Sequence, residues 1–152
     1  MFIADELYAQ ILEYSVIPTA DIIFLNKDKK ILLWLRNNVP LQGVYYIPGG
    51  RIQKGETMIE AARRKAKEEI NIDINTAKLQ FIGVYEDIYK DPFMHYIPCT
   101  FAYPLSEQEE TNIKVDEQHS ELSFFAYNDP TLHPLLQERL QTIQNGYKVF
   151  KI

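Results

Sequence analysis

The chain has one cysteine, no long apolar run and a deficit of positive charge, and each shortage removes a class of protein. A lone thiol, Cys99, closes no intrachain disulfide, so no disulfide framework holds this fold, which points to the cytoplasm. Nothing approaches the roughly 18 to 20 apolar residues that a membrane span needs. The start, Met1-Phe-Ile-Ala-Asp-Glu, has no basic region ahead of an apolar run, so no signal peptide is expected. With 16 Lys and Arg against 21 Asp and Glu, the formal charge is −5, which argues against the basic face of a general nucleic-acid binder. An anionic small ligand stays open, because a few arginines and a metal can reverse the field inside one cleft. No repeat, low-complexity tract or linker interrupts the 152 residues. They read as one domain, 1–152, of a size that buries its own core.

Apolar residues are plentiful, at 46% of the chain, and their periodicity is informative. Leu7, Ile11, Leu12 and Tyr14 recur at helical spacing, which predicts an N-terminal helix over about 4–14. Strand-like segments follow at Ala20 to Leu25, Ile31 to Leu35 and Val44 to Ile47, with Asn26-Lys-Asp-Lys as the turn between the first two. Thr57 to Ile70 has the strongest helical pattern. Further strands are expected at Leu79 to Tyr89, Tyr96 to Tyr103 and Glu121 to Tyr127. A last amphipathic helix covers about Thr131 to Gln144, ended by Asn145-Gly146. Strands mixed with helices on both sheet faces make an α/β protein, an α/β/α sandwich with a mixed β-sheet. Trp34 and Phe124 are expected in its core.

The chemistry concentrates in the loop and helix over about 49–72. Glycines let the loop pass close to a ligand, and a helix begins near Glu56 and Thr57. At about 100° per residue, Met58, Ile59, Ala62, Ala66 and Ile70 share the arc that faces the sheet. Lys65, Glu68 and Glu69 flank that arc. Adjacent carboxylates at the rim of a buried face are costly unless a cation sits with them, which suggests a hard metal such as Mg²⁺, with Mn²⁺ as the alternative.

The spacing of Gly50, Glu56, Arg64 and Glu68-Glu69 resembles the Nudix box. Lys65 stands where that box has a glutamate, and Asn71 where it has a glycine. Lys65 is placed to pair with Glu68 and Glu69 at i+3 and i+4, so fewer metals should bind than in ordinary members. Pro48-Gly-Gly-Arg-Ile-Gln-Lys, Asp116-Glu-Gln-His and Asn38-Val-Pro-Leu-Gln-Gly are similar to the GDP-mannose mannosyl hydrolase branch. Members of that branch bind one Mg²⁺ and attack the anomeric carbon.

This resemblance implies a set of roles. The Gly49 carbonyl, Glu69 and Gln118 hold the metal, with Glu68 as a further candidate. His119 is the general base. Arg36 and Arg51 grip the diphosphate, Tyr96 donates to the leaving phosphate, Asp21 touches the sugar, and Arg64 braces the helix. The implied activity is Mg²⁺-dependent hydrolysis of a GDP-sugar to GDP and free sugar, by a dimer of a kind common among relatives. Such chemistry needs no general acid, because GDP is already a good leaving group. The stretch Tyr89 to Tyr96 is shorter than its counterpart in that branch and Asp87 replaces a histidine, which leaves the sugar open. Two other functions compete. The retained Glu68-Glu69 pair favours pyrophosphohydrolysis of a nucleotide sugar or related derivative by attack on phosphorus. Lys65 favours a non-catalytic nucleotide-sugar sensor. His95 and His133 are expected to have no catalytic role.

Overall fold

The structure, a computed structural model, describes residues 3–113 and 121–144. Its strands β1 (Ile17–Leu25), β2 (Lys30–Leu35), β3 (Tyr45–Tyr46), β4 (Gly49–Arg51), β5 (Gln80–Val84), β6 (Asp87–Lys90), β7 (Phe93–Pro104) and β8 (Leu122–Ala126) form one sheet. Helices α1 (Asp5–Tyr14), α2 (Met58–Ile70), α3 (Glu107–Thr111) and α4 (Pro134–Gln144) complete the described elements, with a short 3₁₀ turn at Thr76–Lys78. The path β3-β2-β1-β7-β5 carries β8 on β2, β4 on β1 and β6 on β7. β1 and β7 run parallel while the other pairs are antiparallel, so the sheet is mixed, as expected.

The period of two in a strand sorts β1 between two cores. Ala20, Ile22 and Phe24 pack with Ala61, Ala62, Ala66 and Ile70 of α2. Ile23 faces the other way, with Ile31, Leu33, Tyr46 and with Leu136 and Leu140 of α4. Two helices thus cover opposite faces of one sheet, an α/β/α sandwich. Trp34 is buried and Phe124 packs against the α2-side core, where both were expected.

Several boundaries differ from the sequence reading. The predicted strand at 79–89 is two strands, although one register with β7 runs through both (Val84↔Cys99, Asp87↔Tyr96). The residue opposite Pro98 is Tyr85, whose N–H donates to the Pro98 carbonyl at 3.0 Å. Proline has no N–H to return, and the ladder lapses there. β4 and α3 were not anticipated. α3 carries a capping box in which Ser106 and Glu109 satisfy each other's backbone N–H groups. α4 starts at Pro134, not Thr131, with the proline in the first turn where its missing N–H costs nothing. Ile59 does not face the sheet: it is 45% exposed, and Ala61 takes a place in the buried set instead. The Asn26 turn forms as expected, its side-chain oxygen accepting from Asp28 and Lys30 N–H at 3.0 and 2.9 Å. The helix end at Asn145-Gly146 lies outside the described residues.

Candidate functional site

Strand register brings the site together. Asp21 pairs with Gly49 of β4 on one side and with Thr100 of β7 on the other. β4 leads into the loop before α2, where Gly55 adopts φ +85°, a turn that suits glycine. α2 then begins with a capping box: Thr57 Oγ1 accepts from Glu60 N–H at 3.2 Å, while Glu60 accepts from Thr57 N–H at 2.8 Å. The helix ends at Asn71 in the left-handed region, φ 58°, which asparagine tolerates better than most residues.

Arg64 ties this loop to the helix. Its Nε and Nη2 donate to the two oxygens of Glu56 at 2.7 and 2.9 Å, and Nη2 also donates to the Arg51 carbonyl at 3.0 Å. The Arg64 hydrogen bonds hold the Glu56 carboxyl below its ordinary value despite partial burial. The bracing role expected of Arg64 is therefore present.

Lys65 joins the two neighbouring acids. Its Nζ lies 2.5 Å from Glu69 Oε1 and 3.2 Å from Glu68 Oε2. Burial opposes its charge, but the Glu69 and Glu68 carboxylates outweigh burial and hold its pKa above that of ordinary lysine. The second Glu69 oxygen accepts the Gly49 N–H at 3.0 Å. Burial nonetheless pushes the Glu69 carboxyl up to about 7, against the pull of Lys65 and Gly49. Two glycines make this packing feasible. A Cβ at position 50 would stand 2.9 Å from Lys65 Cε, and one at position 49 would run into Asp21.

Beside this cluster opens a cleft of about 480 Å³. Asp21, Arg36, Gly49, Arg51 and Tyr96, five of the residues singled out in the sequence, line it together. Arg36 is anchored by Nε to the Pro40 carbonyl at 2.8 Å. The Arg51 guanidinium lies 5.8 Å from the Tyr8 ring centre. The Tyr96 hydroxyl donates to Met94 Sδ at 3.3 Å, and burial raises its pKa to about 12, so it stays a proton donor at neutral pH. Gln118 and His119 lie outside the described residues. His95 pairs with the exposed Glu86, and His133 packs by its ring against Tyr46.

The sequence reading missed four contributors, Tyr8, Tyr46, Tyr89 and Arg139. Tyr8 and Tyr89 line the cleft with Tyr46. Arg139 is fully buried on α4 and reaches Asp87 and Tyr46. One signal was available for it: Leu136, Arg139, Leu140 and Ile143 fall at i, i+3, i+4 and i+7, so the arginine sits in the apolar stripe of its helix.

A loop–helix with an Arg-braced glutamate and a glutamate pair, beside a cleft lined by arginines, is an arrangement suited to a diphosphate. The profile of the NUDIX domain matches residues 16–145. The chain belongs to the Nudix family. It is 27% identical over 147 residues to the low-salt glycan biosynthesis protein Agl8 of Haloferax volcanii, covering 93% of this chain and 90% of that one. It is 35% identical over 105 residues to an ADP-ribose pyrophosphatase of Methanocaldococcus jannaschii, covering 69% of this chain and 59% of the relative. Among solved structures, the MutT NUDIX hydrolase of Burkholderia pseudomallei superposes with a TM-score of 0.73 at 21% identity, over 85% of this chain and 98% of that one, which establishes the Nudix fold. The protein is a Nudix hydrolase, of a family that acts on nucleoside diphosphate derivatives and generally uses divalent metals.

The donor set can be tested against such a metal. Among the described residues, no group of three or more His, Cys, Asp or Glu gathers as ligands. The Glu68 and Glu69 carboxylates, 3.2 and 2.5 Å from the Lys65 ammonium, are the donors present that would hold a divalent ion.

Proposed function

We propose that this Nudix hydrolase cuts a GDP-sugar, GDP-mannose or GDP-glucose, into GDP and free sugar by water attack at the anomeric carbon. The observation that carries the reading is the Lys65 ammonium held 2.5 and 3.2 Å from the two glutamates. Attack on phosphorus in the family draws on several metals, and Lys65 stands where one of their ligands would be. Attack at carbon needs less: charge on the leaving diphosphate must be neutralised, and water must be deprotonated on the far side of the sugar. The kinship with a glycan biosynthesis protein supports a sugar-bearing substrate.

The residues take the following parts. Glu69, the Gly49 carbonyl and Gln118, with Glu68 as a further donor, would hold one divalent ion, Mg²⁺ or Mn²⁺, whose charge offsets that of the diphosphate. Arg36 and Arg51 bind the phosphate oxygens from the cleft wall. Tyr96, kept protonated, donates to the departing phosphate. Asp21 accepts from the sugar, and His119 removes the proton from water. The reading treats the chain as one catalytic unit, working in the cytoplasm as a homodimer of the GDP-mannose mannosyl hydrolase kind. No helix among the described residues is long and apolar enough to cross a membrane.

A second reading has its own support. The Glu68-Glu69 pair is intact, and a relative 35% identical is an ADP-ribose pyrophosphatase, which favours attack on phosphorus. Product analysis with Mg²⁺ and GDP-mannose in H₂¹⁸O separates the two. GDP with label in the sugar bears out carbon attack, whereas GMP and sugar 1-phosphate with label in a phosphate replace it by the second reading. Binding without products would make the chain a nucleotide-sugar sensor.

A further inference from the structure

The cleft floor holds a charged network that the roles above leave unused. Arg139 is 0% exposed, and its guanidinium sits 5.4 and 5.3 Å from the ring centres of Tyr46 and Tyr85. Nη2 donates to Asp87 Oδ2 at 2.5 Å, and Nη1 to the Tyr46 hydroxyl. Burying such a charge costs several kcal/mol, about as much as its pairing returns, and apolar residues of similar volume would often serve a core equally well. Packing α4 onto the sheet therefore gives no reason for this pair.

Its geometry gives one. Among the described residues, the three side-chain hydrogen bonds to the Asp87 carboxylate fall on one oxygen: Oδ2 accepts from Arg139, from the Tyr89 hydroxyl at 3.4 Å and from the Tyr46 hydroxyl at 3.5 Å. Oδ1 takes part in none of them, and Asp87 lines the cleft while being only 4% exposed. A carboxylate fixed by one oxygen and presenting the other is a directed acceptor for hydroxyl donors. Asp21, 8% exposed, lines the same floor, and its charge reinforces burial in raising the Asp87 carboxyl. A terminal phosphate here would face two buried acids, which is repulsive. A sugar offers neutral hydroxyls that donate, and positive character on its ring during carbon attack would be favoured by the same acids.

We propose that Asp87, held in place by Arg139, reads the hydroxyl groups of the substrate's sugar and so selects a sugar-bearing nucleoside diphosphate over a nucleotide ending in phosphate. Asp87 is then a specificity residue and Arg139 a positioning residue that acts through it. The inference rests on the nucleotide-sugar reading above.

The test compares sugar-bearing ligands with their sugarless nucleotides, by titration calorimetry and by kcat and KM: GDP-mannose, GDP-glucose and ADP-ribose against GDP, ADP and GTP. In the nearly isosteric Asp87→Asn, affinity for the preferred sugar-bearing ligand should fall about tenfold while that for the sugarless nucleotide holds, and discrimination against GTP should narrow. Arg139→Met should shift the same ratio in the same direction. Deoxy analogues of the preferred sugar, given to the wild type, supply the readout without any variant: loss of one hydroxyl should reproduce the Asp87→Asn deficit. Equal loss for sugar-bearing and sugarless ligands, or no loss, in an enzyme that turns over a nucleotide sugar would make the network structural and overturn this inference alone. A wild type that neither binds nor cleaves any nucleotide sugar of the panel overturns both this and the proposed function.

Discussion

Replacing Lys65 by methionine removes the internal cation and keeps the stem that covers Gly50. Glu69, whose side chain is 6% exposed, then loses its only ion-pair partner among the described residues. Removing one member of a fully buried pair costs roughly 3–5 kcal/mol. Two features lower that figure here: Lys65 is 18% exposed, and a carboxyl already near 7 can take up a proton instead of staying charged. The accompanying Glu68 contact adds little, since that side chain is 49% exposed and such pairs are worth about 0–1 kcal/mol. The expected loss in EDTA is about 1–3 kcal/mol, which for a domain of this size lowers Tm by roughly 2–12 °C. Magnesium should then bind at Glu69 more tightly than in the wild type, where the ammonium opposes it, and at a hundredfold excess over its Kd a bound ligand restores about 2.7 kcal/mol. Thermal unfolding of both proteins, in EDTA and in saturating Mg²⁺, gives four Tm values. The variant should recover most of its loss with Mg²⁺, and the wild type should gain less. An identical Tm deficit in EDTA and in Mg²⁺ would refute the claim that Lys65 opposes a divalent cation at Glu69.

Glu56→Gln removes the paired bond from Arg64 and should cost about 1–3 kcal/mol at pH 7, read by urea unfolding. Because Arg64 lowers the folded-state pKa of Glu56 below 4.5, its contribution is present above that value and lost as pH falls through the folded pKa. The wild-type advantage over this variant should accordingly shrink as pH falls through the lowered pKa, below the ordinary 4.5, and a gap independent of pH would be wrong for this ion pair. Gly49→Ala sets a Cβ against Asp21, 2.8 Å from its Cα, so β4 and β1 must part. About 1–3 kcal/mol of stability and most turnover should go with it, measured by unfolding and by product release. His119→Gln should lower kcat by roughly 10² to 10⁴, the usual contribution of a general base, and unchanged turnover would remove His119 from the mechanism.

The loop–helix was legible in sequence because its determinants are local. A threonine cap, a 3.6-residue apolar period and carboxylates at i+3 and i+4 from a lysine all lie within one short segment, and the Lys65 pairs appear where spacing places them. The mixed sheet and its two helical layers followed from alternating periodicities. What stayed hidden depended on partners distant in sequence. The break at Tyr85 is imposed by Pro98 across the ladder, and the value of Arg139 lies in Asp87 and Tyr46, 52 and 93 residues away. An isolated arginine in an apolar stripe reads as an anomaly until the strand carrying its acid is seen beside it.

Asp21 connects the two charged clusters. Burial raises its carboxyl, and Arg139, a hydrogen bond from Thr19, Arg36 and Lys65 all act in the opposite direction. Arg139 belongs to α4 and Lys65 to α2, helices on opposite faces of the sheet, so one acid on β1 feels a cation from each layer. A substrate that displaced or neutralised either cation would change the charge balance at Asp21, and through Asp21 the balance at Asp87 and Glu69, both of which its charge raises. The Glu69 cluster and the Asp87 floor are therefore coupled electrostatically through Asp21. Asp21→Asn, which removes that common charge as well as an acceptor for the sugar, should shift affinity for GDP as well as for the sugar-bearing ligand, whereas Asp87→Asn should shift only the second. If Asp21→Asn left GDP affinity unchanged, the coupling of the two clusters through Asp21 would have to be abandoned.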